Sequence, residues 1–127
     1  LALAIATAKV RAVEDSIDAC WQLKQEVGSY ALMGDSGFKH LDFLNCCKFA
    51  EGDSRVLAQK MARDVMRVFA KTGDAGDAES TRLAGELAKA LAPAGGDKVA
   101  TADLWDEHFE KVYLLADAVM DRVVAEA

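Results

Sequence analysis

Residues 38 to 49 read FKHLDFLNCCKF, a histidine and two adjacent cysteines set among phenylalanines and leucines. Imidazole and thiolate are the side chains that hold zinc most readily, and thiols also carry redox chemistry. On a helix His40 and Cys47 share a face with Leu44 between them, whereas Cys46 points about a hundred degrees away. A tetrahedral zinc site draws paired ligands from C-x2-C or H-x3-H spacings, and neither occurs here. Neighbouring cysteines cannot bridge each other without a distorted peptide. The spacing favours packing, with Cys47 and Cys20 in the core, Cys46 at its margin and His40 near a helix start or turn. A metal or thiol-redox role for the cysteines is the second alternative to the main reading below, and no metal site is expected.

His108 is the other candidate, three residues after Trp105 and four before Val112. A histidine on the inner face of a helical bundle can ligate haem or a metal. The E-x-x-H pair of di-iron sites is missing at both histidines, and there is no C-x-x-C-H for covalent haem attachment. A small-ligand or tetrapyrrole bundle is therefore kept as the first alternative, with His108, Trp105, His40 and Cys47 as its contacts and Met33, Met61, Met66 or Met120 as an axial partner for haem. No cofactor is expected otherwise.

Nucleotide and acyl-transfer signatures are also missing: there is no P-loop, no G-x-G-x-x-G and no G-x-S-x-G elbow. No catalytic residue is assigned, and the reading leans away from an enzyme.

The elements that would position these residues are helical. The chain has 127 residues, 52% of them apolar and 28% charged, with one proline and nine glycines. That composition suits one domain, residues 1–127, built of long helices with few interruptions. Ala6, Val10, Val13, Ile17, Cys20, Val27 and Ala31 step by four and three across a first segment of about residues 3 to 33, broken only by Lys24. The opening LALAIATA resembles the tail of a signal peptide, but the same stripe runs through it, so it is read as the start of this helix, in a chain whose initiator methionine is missing. GDSG at 34 to 37 supplies the first turn.

A second segment spans Phe38 to about Lys71. EGDS at 51 to 54 offers a glycine stop and a new N-cap in Asp53 or Ser54, so a kink or split near Gly52 is expected. After the loop TGDAGDAEST, a short third helix places Leu83, Leu87 and Leu91 on one side with Ala84 and Ala88 beside them, and Pro93 and GGD end it. In the last segment Thr101 is the expected cap, and Trp105, Phe109, Val112, Ala116, Val119 and Val123 form the stripe. No strand pattern occurs. The expected fold is all-α, an antiparallel up-down four-helix bundle, or five helices if the second segment splits near Gly52.

Charge is distributed unevenly. The chain is acidic, with a formal charge of −6, which argues against a nucleic-acid partner. No apolar run is long enough to span a bilayer, and an odd count of three cysteines points to the cytoplasm or another reducing compartment. Yet residues 38 to 71 carry seven basic side chains against four acidic ones, and Lys60, Arg63, Arg67 and Lys71 fall on one helical stripe. The last segment carries seven acidic against two basic, with Asp103, Asp106, Glu110, Asp117 and Asp121 on another stripe. In a simple bundle the second and fourth helices lie diagonally, so the stripes would meet only between subunits or attract a partner of opposite charge.

Trp21 and Tyr30 fall beside the first stripe and Tyr113 beside the last, where a wide face buries them; exposed together, they would mark a protein interface. None of these patterns resembles the signature of a particular family, and a bundle shape transfers no function by itself. The main expectation is a non-catalytic interaction module that binds another protein or itself as a homo-oligomer.

Overall fold

The computed structural model describes residues 2–50 and 52–127, and every regular element among them is helical. The described residues form six α-helices: α1 (Ala2–Glu26), α2 (Leu41–Cys47), α3 (Ser54–Thr72), α4 (Ala78–Leu91), α5 (Lys98–Glu107) and α6 (Phe109–Ala125). Three 3-10 turns, Gly28–Leu32, Phe38–His40 and Ala92–Ala94, link them. The all-α class is as expected, but six helices stand where four or five were expected. No helix among the described residues is long and apolar enough to cross a membrane. The chain divides into two compact units, residues 1–57 and 58–127, with the boundary inside α3.

In the first unit, α1 packs against α2. Thr7, Val10 and Ile17 are its buried residues, while Ala6, Val13 and Cys20 of the expected stripe are only half-buried. The helix stops at Glu26 rather than near residue 33, because Gly28 takes a left-handed backbone, φ +58°, which a side chain disfavours and which ends a helix. Beyond it the 3-10 turn carries Ala31 inward and leaves Tyr30 and Leu32 outside.

The segment after Cys47 is tied back to α1 by one ammonium group. Lys9 Nζ donates to the carbonyls of Lys48 at 2.9 Å and Gly52 at 2.7 Å and to Ser54 Oγ at 3.2 Å, using all three of its protons. Lys48 in turn lies 3.6 Å from Glu14. The expected break near Gly52 is real. Glu51 lies outside the described residues, and Asp53 caps α3, its Oδ1 accepting from the backbone of Arg55 at 2.8 Å.

In the second unit α4 packs against α6. The close approach rests on small residues: Ala84 and Ala116 are fully buried, with Leu83, Leu87, Val112, Leu115, Val119 and Met120 around them. The last segment does not run through as one helix. It breaks at His108, whose amide still donates to Leu104 while its carbonyl accepts from Lys111, so α5 ends and α6 starts on the same residue. No proline or glycine marks the break. Its consequence is that Phe109, expected in the stripe, is 53% exposed, while Trp105 before it and Val112 after it are buried.

Thr101 is not the cap. Asp97 is, its Oδ1 accepting from Ala100 N at 2.8 Å, and Thr101 sits inside α5 with its hydroxyl donating to the Asp97 carbonyl. The turn through Gly95 and Gly96 brings the chain into α5 one helical turn earlier than the sequence suggested.

Candidate functional site

The cysteines and histidines do not gather. Cys46, expected at the margin of the core, is exposed, Cys20 and Cys47 are half-buried rather than core residues, and all three are free thiols. His40 is exposed at the start of α2, without a capping hydrogen bond. His108 is half-buried at the break between α5 and α6. Among the described residues no group of three or more His, Cys, Asp or Glu is placed to hold a metal ion.

The charged stripes behave differently from what a simple bundle implies. On α3, Lys60 lies 2.5 Å and Arg67 3.0 Å from the carboxylate of Asp64. The hydrogen bond from Lys60, with Arg67 assisting, holds the Asp64 carboxyl below its ordinary range. Arg63 donates to Gln59 Oε1 at 3.1 Å, and Gln59 Nε2 reaches the Tyr113 hydroxyl of α6 at 3.3 Å. Lys71 is exposed in the last turn of α3.

The acidic residues do not form a single stripe, because the break at His108 places Asp103 and Asp106 on α5 and Glu110, Asp117 and Asp121 on α6. All five are exposed.

Within the second unit one member of the acidic set, Asp106, shares a groove with two of the basic set, Arg63 and Arg67, which the diagonal arrangement of a four-helix bundle would not allow. A groove of about 520 Å³ is lined by Arg63, Arg67 and Met66 from α3, Leu91 from the end of α4, and Lys98, Trp105 and Asp106 from α5. Trp105 is 8% exposed, and the Arg63 guanidinium lies over its ring at 5.2 Å from the centroid. Its indole N–H is buried without a partner among the described residues. Small side chains, Ala70 and Ala102, widen the groove. Three cations face one carboxylate along this lining, a local excess of positive charge on a chain whose formal charge is −6. Sequence reasoning named Arg63, Arg67, Trp105 and Asp106 as contacts, Met66 only as a haem partner and Leu91 only as a packing residue, and did not name Lys98, which follows the turn at residues 92–97 at the start of α5.

A second groove, of about 610 Å³, runs between α4 and α6 and has the opposite character. Asp77, Glu79, Asp117 and Asp121 line it with Arg82 and Arg122. Arg82 is clamped by Glu79 and Glu86, which pushes its pKa further up and pulls that of Glu79 down.

Arg122 has a structural task that its place in the charge balance concealed. Its side chain is 19% exposed, Nη1 donates to the Ala75 carbonyl at 2.9 Å, and Nε is buried 3.8 Å from Asp77, too far for a hydrogen bond. The guanidinium fills the space beneath Gly76, where φ is +107° and a Cβ would collide with Nη1. The same loop is closed by Asp74, whose Oδ1 accepts from Gly76 N at 2.9 Å and Thr81 Oγ1 at 3.0 Å, and these bonds hold its carboxyl below the ordinary value.

The aromatics beside the first stripe are not buried. Trp21, Leu23, Val27, Tyr30, Leu32 and Met33 are each between 41% and 82% exposed, six large apolar side chains within thirteen residues at the end of α1 and the turn after it. Sequence reasoning named Trp21 and Tyr30 as interface candidates, placed Val27 in the buried stripe of a continuing helix and Met33 as a haem partner, and did not name Leu23 or Leu32. Compared with protein-family models, curated proteins and solved structures, the chain matches none, so its functional reading rests on its own residues.

Proposed function

We propose that this chain is a non-catalytic helical interaction module that works through protein–protein contacts, homo-oligomerisation included. The observation that carries the reading is the exposed run Trp21, Leu23, Val27, Tyr30, Leu32 and Met33. Isolated apolar side chains on a surface are ordinary, but six large ones within thirteen residues are a local concentration, and exposed apolar concentrations mark contact sites. Trp and Tyr are also the residues that most often anchor interfaces, because each supplies a large apolar body with little rotamer freedom to lose. The partner is another protein or a second copy.

The experiment is a size measurement on the protein isolated from its own source under mild conditions. The reading expects an assembly well above the 13.6 kDa of one chain, which Leu32→Glu reduces to monomer size with its helix content unchanged. A bare monomer in both forms contradicts it.

A second reading, a small-ligand site, draws on the groove around Trp105, whose volume of about 520 Å³ falls within the ordinary range for ligand sites. Trp105 was one of the contacts expected for such a ligand. His108, expected beside it for a tetrapyrrole, is not among the lining residues.

A further inference from the structure

We infer that copies of this chain associate head to tail, the exposed ridge of α6 on one copy seating in the α3–α5 groove of the next. The inference rests on the reading of the chain as an interaction module, names a second copy as partner and adds a contact distinct from the exposed end of α1.

The groove offers an apolar floor of Trp105, Leu91 and Met66 beneath a rim of Arg63, Arg67 and Lys98. A fitting occupant presents an apolar side chain flanked by carboxylates. Such a ridge exists on the same unit: Glu110, Leu114, Asp117 and Asp121 follow steps of four, three and four along α6 and so line one face. All four are exposed, Leu114 at 55%. Asp117 and Asp121 also have interactions of their own within the chain, and with Leu114 they line the groove between α4 and α6. A leucine between acidic neighbours matches an apolar floor between basic ones in both shape and sign.

Groove and ridge lie on different helices, so the contact joins unlike surfaces and leaves one of each unused at the ends. Such a heterologous contact grows past a dimer into a ring or an open chain. One helix in one groove buries an area at the low end for specific complexes, so the association is weak and, being carried by exposed charge, sensitive to salt.

Sedimentation equilibrium tests this with two complementary variants, Arg67→Glu/Lys98→Glu in the groove and Glu110→Lys/Asp117→Lys on the ridge, each checked for native helix content and melting. Wild type is expected to exceed dimer mass at low salt and to fall to monomer at high salt. Each variant alone is expected to remain monomeric. An equimolar mixture of the two is expected to associate past a dimer again, because the native ridge of one variant meets the native groove of the other and the two reversed surfaces are once more opposite in charge. Leu114→Ser, which alters no charge, gives an independent check and is expected to weaken self-association at least tenfold.

A wild type that is monomeric at both salts overturns the inference and leaves the groove to a small ligand; so does self-association that the variants leave intact, or a mixture that stays monomeric. If the source assembly persists in Arg67→Glu/Lys98→Glu but is lost in Leu32→Glu, this inference fails while the interaction reading stands. If Leu32→Glu changes nothing and the complementary mixture associates again, the exposed end of α1 is not the contact and the groove is.

Discussion

The guanidinium of Arg63 lies over the indole of Trp105, 5.2 Å from the ring centroid, and joins a basic helix to an acidic one within the second unit. Arg63 is held there by Gln59, which is in turn held by Tyr113. Replacing Arg63 with methionine keeps the aliphatic cover and removes the cation. In a Trp21→Phe background, where Trp105 is the remaining tryptophan, Arg63→Met is expected to change the emission intensity of Trp105 and to lower stability by about 0.5–1 kcal/mol. An unchanged spectrum would show that the stack does not persist in solution.

Arg122 and Gly76 depend on each other. Arg122→Met removes a charged donor from the Ala75 carbonyl and is expected to cost about 1.5–3 kcal/mol in urea unfolding. Gly76→Ala is strained by its backbone and clashes with the guanidinium, for a cost of about 1–3 kcal/mol. Because the clash needs Arg122, the double variant is expected to be less destabilised than the two costs combined. Strict additivity would mean that the guanidinium lies elsewhere.

Asp74 gives the loop between α3 and α4 a pH dependence. Its carboxyl is held below the ordinary 3.8 by the Gly76 amide first and the Thr81 hydroxyl second. A depressed folded value stabilises fully above the unfolded value and is lost as the pH falls through the folded one. The stability advantage of wild type over Asp74→Asn is therefore expected to be constant near neutrality and to shrink below about pH 4. Melting temperatures of both proteins across this range decide it, and a difference that grows with acid contradicts the assignment.

Lys9 closes the first unit through three acceptors, two of them backbone carbonyls. Lys9→Met leaves those groups to water and is expected to cost about 1–3 kcal/mol. Faster amide exchange of Ser54, whose N–H bonds the Lys48 carbonyl, is the local signature; unaltered exchange there would remove Lys9 from this role.

The start of α5 separates two capping assignments. Asp97→Ala is expected to lower stability by about 1 kcal/mol, as loss of an N-cap does. Thr101→Val, which removes an interior hydroxyl, is expected to cost less. The reverse order would restore Thr101 as the cap.

The helical class was legible because apolar steps of three and four persist wherever helices form, and the break near Gly52 was legible from glycine followed by a capping aspartate. The break at His108 was not, since no proline or glycine marks it and the periodicity reads straight through. That one break splits the acidic stripe between α5 and α6 and turns Phe109 outward. Gly28 was visible, but its left-handed backbone was not, and on that conformation depends whether residues 27 to 33 continue a stripe or form an exposed turn. Arg63, Arg67, Trp105 and Asp106 were each singled out, yet their meeting in one groove required helix positions that residue spacing does not contain. Arg122 showed no sign of its structural task, because Ala75 and Asp77 lie 45 or more residues away in the chain and the nearer Glu126 makes only an ordinary i, i+4 pair.

The central claim is that the end of α1 and the turn after it are covered by a protein partner. Hydroxyl-radical footprinting tests it directly, because Trp21, Tyr30 and Met33 are all strongly reactive side chains and all stand exposed on the single chain. The assembly isolated from its own source is compared with the Leu32→Glu variant. The account predicts that oxidation of the three residues is several-fold slower in the assembly. Equal rates in the two proteins, whether because no assembly forms or because it leaves these side chains open, would contradict it.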